Sequence, residues 1–249
     1  MSLIRDKVEL ECLANELREN MHVTAREPVR IHQVLKEKKI LTQFRPLDPN
    51  FSGIALCTQS GTALRKCFML INTAQSYGKQ RFTACHELYH LLYQEEFTVS
   101  QNNAGKFDQK EPEEYNADYF ASYLLLPELG LKELVPVEEQ RKDRITLGTL
   151  LRVEQNFRCS RANLLRRLKE MKWITADTYD KYVVNVKRSA IEYGYGIDLY
   201  SPTNKTELVG DYNIKARQLY DRGLISQAKY FSLLQDMGID LSLITNGEE

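Results

Sequence analysis

Apolar residues recur at helical spacing near the start of the chain. Leu10, Leu13, Ala14 and Leu17 stand at i, i+3, i+4 and i+7, which predicts a helix over residues 6 to 20 with one buried face. A second helical stretch, Ile31 to Lys38, leads into an extended segment from Ile40 to Phe44. The runs Gly53-Ile54-Ala55-Leu56-Cys57 and Cys67-Phe68-Met69-Leu70-Ile71-Asn72 predict two strands of a hairpin, joined by a polar turn around Ser60-Gly61-Thr62. The next helix carries Ala84, Leu88 and Leu92 on a side that can be buried. Pro112 suits the first turn of another, with Glu114, Ala117, Asp118, Ala121 and Leu125 on one face and an end before Pro127. Between these two helices, Gln94 to Lys110 is polar, and it is expected to be a mobile loop, either covering a cleft or lying as an incidental insertion.

Residues 145 to 172 have the rhythm of a helix, a turn and a second helix starting near Ser160. That second helix bears Arg161, Arg166, Arg167, Lys169 and Lys172, so it has the look of a DNA-recognition helix. A structural or substrate-docking role is preferred over DNA contact, since the motif alone is weak. A linker around Glu192 to Lys205 separates a last helical pair: Ile214 to Arg222 stopped by Gly223, then Ser226 capping Gln227 to Met237, stopped by Gly238. Leu219, Phe231, Leu233 and Leu234 are expected to dock this pair on the body. The order of elements predicts an α+β fold, a small antiparallel sheet packed on helices with helical appendages after it. The expected divisions are a core over 1–130, a helix-turn-helix-like segment over 131–190 and a C-terminal helical module over 191–249.

Charge narrows the partners. Lys plus Arg equals Asp plus Glu at 34 each, so no global field draws the chain to nucleic acid or membrane. No apolar run approaches the roughly 20 residues of a membrane span, and the first residues lack the apolar centre of a signal peptide. The expected location is the cytoplasm, without a membrane partner. Five cysteines without C-x-x-C spacing argue against a disulfide framework and a thiolate metal site. Cys57 and Cys67 can face each other across the hairpin, but in a reducing compartment they are expected to be free thiols.

The chemistry is concentrated in His86-Glu87-Leu88-Tyr89-His90. At about 100° per residue, His90 lies about 40° round the helix from His86 and Glu87 about 100°, so all three share one side. The two imidazoles can bind one zinc ion, with Glu87 beside it as general base. A solvated His pair with an ordinary surface charge is the bland alternative. Catalytic zinc takes three protein ligands, and Glu114 is the candidate third, with Asp118 one turn on, in reach of a ligand histidine's other ring nitrogen. Glu113 and Glu114 can also be read as first-turn acids favoured by the helix dipole. Glu113 is the rival ligand, but it points about 100° away from Glu114. Asn72, ending the strand before the zinc helix, is a candidate substrate contact if that strand is exposed and takes a peptide as an added strand; an ordinary core strand is the alternative.

These motifs resemble the ImmA/IrrE metallopeptidases. Ile71-Asn72, Arg81-Phe82-Thr83-Ala84-Cys85-His86-Glu87-Leu88-Tyr89-His90, Glu114-Tyr115-Asn116-Ala117-Asp118-Tyr119-Phe120-Ala121 and Leu124-Leu125-Leu126-Pro127 follow that family's pattern in order and spacing. Phe44-Arg45-Pro46-Leu47 with Ser52-Gly53, and Phe157-Arg158-Cys159-Ser160 with Leu164-Leu165-Arg166-Arg167-Leu168, extend the match over about residues 10 to 175. Tyr89 departs from the pattern, standing where the family usually has glycine, and its ring narrows the expected cleft. The resemblance implies a zinc-dependent endopeptidase that cleaves a helix-turn-helix repressor, a separate polypeptide encoded nearby, to derepress genes. An oxyanion donor is expected among Tyr89, Tyr93, Tyr115 and Tyr119. The alternatives are a non-cleaving antirepressor and a DNA-binding regulator with a structural zinc site.

Overall fold

The computed structural model describes residues 3–58, 65–95, 97, 99–102, 104–239 and 241. Helix α1 (Lys7–Asn20) begins on Asp6, whose carboxylate accepts a hydrogen bond from the Val8 N–H, and it buries Leu10, Ala14 and Leu17. The chain continues through α2 (Ile31–Glu37), β1 (Leu41–Arg45), β2 (Gly53–Thr58) and β3 (Lys66–Asn72). The turn expected around Ser60-Gly61-Thr62 lies outside the described residues.

The described strands form one sheet in the order β4-β2-β3-β1-β5, with β4 (Val99–Asn102) and β5 (Glu207–Val209) at its edges. Three pairings are antiparallel, β2 with β3, β2 with β4 and β1 with β5. The fourth is parallel: β1 runs beside β3 from Leu41 opposite Phe68 to Arg45 opposite Asn72. The fold is therefore α+β as expected, with one parallel pair inside a mainly antiparallel sheet. Since β3 is interior, neither of its edges is open to an added peptide strand.

Two further expectations are corrected here. Gln94 to Lys110 is not merely a loop: it contributes β4, too short for its alternation to register in the sequence, and buries Phe97 and Ala104 beside it. Cys57 and Cys67 are joined in a disulfide, not left as free thiols. They stand directly opposite in the β2–β3 ladder with Cα atoms 4.2 Å apart, which brings their sulfurs into bonding reach.

Helix α3 (Tyr77–Leu92) crosses β2 and β3, and α4 (Pro112–Leu125) packs along it. Gly53 permits the sheet contact, because a Cβ there would stand 2.6 Å from Thr83 Cγ2 of α3. All residues of α3 except Tyr77, Lys79 and Leu92 are buried, so this helix is enclosed on every side rather than amphipathic. After it come α5 (Glu128–Leu134), α6 (Leu147–Phe157), α7 (Arg161–Glu170), α8 (Ala176–Tyr182) and α9 (Val186–Glu192). Leu150, Leu164 and Leu168 of α6 and α7 belong to the same apolar core as Leu10 of α1 and Val209 of β5.

The α6–α7 pair is capped by Thr146 and by Ser160, the expected start of the second helix, with Arg158 left-handed at the end of α6. Two of its basic residues face inward. Arg161 makes a bidentate pair with Glu154, both contacts at 2.6 Å, and Tyr200 adds a hydrogen bond to the same carboxylate. Arg167 is 3% exposed and is held by Glu11, Glu170 and the Leu126 carbonyl. The last helices, α10 (Tyr212–Asp221) and α11 (Gln227–Asp236), end at Gly223 and Gly238, both with positive φ, and Ser226 caps α11. Of the four docking residues expected there, Leu234 is buried, Phe231 and Leu233 are half-buried and Leu219 is exposed.

Candidate metal centre

Two helices meet at the site. His86 and His90, one turn apart on α3, bring their Nε2 atoms to 3.2 Å from each other. Glu114, in the first turn of α4, places Oε2 at 3.0 Å from His86 Nε2 and Oε1 at 3.3 Å from His90 Nε2. The close approach depends on Ala117 and Ala121, both fully buried on the face of α4 that also carries Glu114. His86, His90 and Glu114 thus offer ligand atoms all within 4.8 Å of one another. Glu113, the rival acid, turns away and accepts the Tyr89 hydroxyl at 3.0 Å. Glu87 is fully buried on α3, beside His86.

The outer nitrogens of both imidazoles are also held. Asp118 Oδ1 stands 2.8 Å from His86 Nδ1 and accepts the Gly105 N–H at 2.7 Å, while Oδ2 accepts the Phe107 N–H at 2.7 Å. With both carboxylate oxygens engaged, Asp118 fixes the ring so that Nε2 points at Glu114. His90 Nδ1 contacts Gln94 Oε1, and the ring of Phe97 stacks on His90 with centroids 5.6 Å apart. Sequence reasoning reached Asp118 but missed these last partners. Gln94 had a usable signal, standing one helical turn after His90. Phe97 had none, and the backbone groups of Gly105 and Phe107 leave no side-chain trace.

Electrostatics follows the geometry. Burial alone would lower the pKa of His86, but hydrogen bonds to Asp118 and Glu114 outweigh it and hold the value up at about 10. Burial would raise Glu114, yet the hydrogen bonds from His86 and His90 keep it well below the usual carboxylate range. The carboxylates of Glu114 and Asp118 therefore make the surroundings of the imidazoles negative, which favours a proton or a metal cation there. The donor set fits a metal ion by distance as well: ligand atoms at about 2.0–2.1 Å from a tetrahedral zinc lie about 3.3 Å apart, close to the spacings observed.

Asn72 does not join this cluster. Its side chain is fully buried, Oδ1 accepts the Leu47 and Ala74 N–H groups, and Nδ2 donates to the Asp48 and Phe51 carbonyls. Four backbone bonds make it a clamp on the chain entering and leaving the sheet, with no atom turned to a cleft. Among the candidate oxyanion donors, Tyr89 is fully buried with its hydroxyl on Glu113, Tyr115 is buried, and Tyr93 and Tyr119 are half-buried.

A buried helix carrying two convergent imidazoles, joined by a carboxylate from a neighbouring helix, defines a candidate metal centre of hydrolytic type. The chain belongs to the M78 peptidase family, whose model, described as the IrrE N-terminal-like domain, matches residues 36–169. That span covers β1 to β4, both site helices, α5, α6 and nearly all of α7. None of the curated proteins matches the chain. No described helix is long and apolar enough to cross a membrane.

Proposed function

We propose that the protein is a zinc-dependent endopeptidase acting on a helix-turn-helix repressor, a separate polypeptide whose cleavage derepresses genes. The observation that carries the reading is the convergence of His86 Nε2, His90 Nε2 and the Glu114 carboxylate at 3.0–3.3 Å. These three residues would hold the zinc. When bound, zinc supplies a Lewis acid that polarises a scissile carbonyl and lowers the pKa of water.

The chain's own groups do the remaining work. Glu87 lies about 100° round α3 from His86, so it serves as base: it takes the proton of the attacking water and hands it to the leaving amine. Asp118 accepts the His86 Nδ1 proton and so leaves Nε2 as the lone-pair donor. The peptide is aligned by β4, an edge strand with no further strand on its outer side among the described residues. Phe97 just before β4 lies on His90, and Gly105 just after it bonds Asp118, so a strand added there runs past the site. The repressor as substrate rests on the family resemblance. Burial of Arg161 and Arg167 weighs against α7 as a DNA-reading helix.

The test mixes the zinc-loaded protein with the repressor encoded beside it. Wild type is expected to produce discrete fragments, and Glu87→Gln to keep metal and partner affinity while cleavage falls about 10² to 10⁴-fold. Equal release of the repressed promoter by both proteins, without fragments from either, would show that binding alone carries the function.

A further inference from the structure

On the far side of α3 from His86 and His90 lies a cavity. It has a volume of about 540 Å³ and opens between α2, the N-terminal half of α3 and the segment 198–207 that leads into β5. Its α3 wall is formed by Tyr77, Gln80, Arg81 and Ala84. Arg81 lies about 140° round the helix from His86 and about 180° from His90, so this cavity is on the far side of α3 from the metal centre. The volume is that of a pocket for a small organic molecule.

The cavity has a buried cation with an unmet donor. Arg81 is 6% exposed; Nη2 donates to the Val29 carbonyl at 2.8 Å, but the buried Nε–H has no hydrogen-bond partner. An orphaned donor on a buried guanidinium carries a desolvation cost that an anionic acceptor would remove. Around it the buried wall is mixed, with Ile31, Phe44 and Ala84 apolar and Thr73 and Gln80 polar. The charged groups of segment 198–207 lie at the exposed mouth, Lys205, Asp198 and Glu207, the last facing His32 at 3.2 Å. A smaller hollow shares Arg81 and adds Arg30 and Arg158; its one acid, Glu27, is paired with Arg30 at 3.4 Å. Arg30 and Arg158 are exposed, so the buried charge among the cavity's lining residues is the Arg81 guanidinium.

We infer that this cavity binds a small amphipathic oxyanion, a carboxylate or phosphate monoester on an apolar or aromatic body, with its acidic group on Arg81 and its body against Phe44 and Ile31. The inference is independent of the metal chemistry, since none of these residues belongs to that site.

The experiment titrates the zinc-loaded full chain with phenylacetate, phenyl phosphate and the neutral benzyl alcohol, following saturation-transfer NMR and melting temperature. At least one of the two anions is expected to bind and to raise the melting temperature, with the alcohol weaker by about tenfold to a hundredfold, the worth of a charge-assisted hydrogen bond. The stronger of the two anions identifies the acidic group. Arg81→Gln should abolish the preference for anions. Because Arg81 also holds Val29, Thr203→Trp provides a second variant that occludes the mouth without touching the guanidinium, and it should lose binding of all three probes. Benzyl alcohol binding as tightly as the anions, a preference for anions that survives Arg81→Gln, anion binding that survives Thr203→Trp, or no binding of either anion by wild type would each overturn the assignment.

Discussion

Asp118 and His86 are joined by a 2.8 Å contact between Oδ1 and Nδ1, and the same carboxylate gathers the backbone of Gly105 and Phe107. One acid therefore orients a ligand ring and anchors the segment after β4. Replacing Asp118 with Ala is expected to weaken zinc binding by about 10 to 100-fold, as loss of such a support typically does. Competition against a chelator measures this, and an unchanged affinity would remove Asp118 from the site.

Metal uptake should release a proton. In the metal-free fold the pKa of His86 is raised from 6.5 to about 10, so its protonated form contributes stability that is complete below about 6.5 and is lost as pH rises through about 10. At pH 8 the ring is charged, and a metal must displace that proton; Glu114, held below the usual carboxylate range, has none to give. Calorimetry of zinc binding in two buffers with different ionisation heats should show about one proton released. A heat independent of buffer would mean that His86 is neutral before the metal arrives.

Asn72→Ala should act on stability and not on substrate binding. Removing the amide strips partners from four backbone groups, which is expected to cost at least about 1–3 kcal/mol in a urea titration. The folded fraction should cleave with unchanged KM. A raised KM without loss of stability would return Asn72 to the substrate.

Arg161→Ala should strand the fully buried Glu154 carboxylate and cost about 3–5 kcal/mol in the same titration. If α7 instead reads DNA, the variant would stay stable and lose salt-dependent DNA affinity, which a binding assay at two ionic strengths would detect.

What was legible in the sequence depended on periodicity and caps. His86, His90, Glu114 and Asp118 were placed together because helical spacing converts directly into a shared face, and the starts of α4 and α11 were legible because Pro112 and Ser226 act within one turn. What escaped depended on contacts between distant segments. Nothing local in Val99–Asn102 announces a strand, because it exists by pairing with β2. Likewise the parallel placement of β1 beside β3, and the full burial of Asn72 under two loops, follow from how the sheet assembles. Tyr89 was visible as an odd residue in its motif, but only the fold shows that its hydroxyl occupies Glu113 and so leaves Glu114 as the acid at the imidazoles.

The edge strand β4 is tethered at both ends to the two candidate ligand histidines, through Phe97 on His90 and through Gly105 and Asp118 on His86. Substrate and metal would then be linked in the thermodynamic sense: any factor by which a docked peptide tightens zinc is the factor by which zinc tightens the peptide. Zinc removal would weaken substrate capture as well as stop the chemistry, and a tightly bound peptide product would slow the loss of zinc to a chelator.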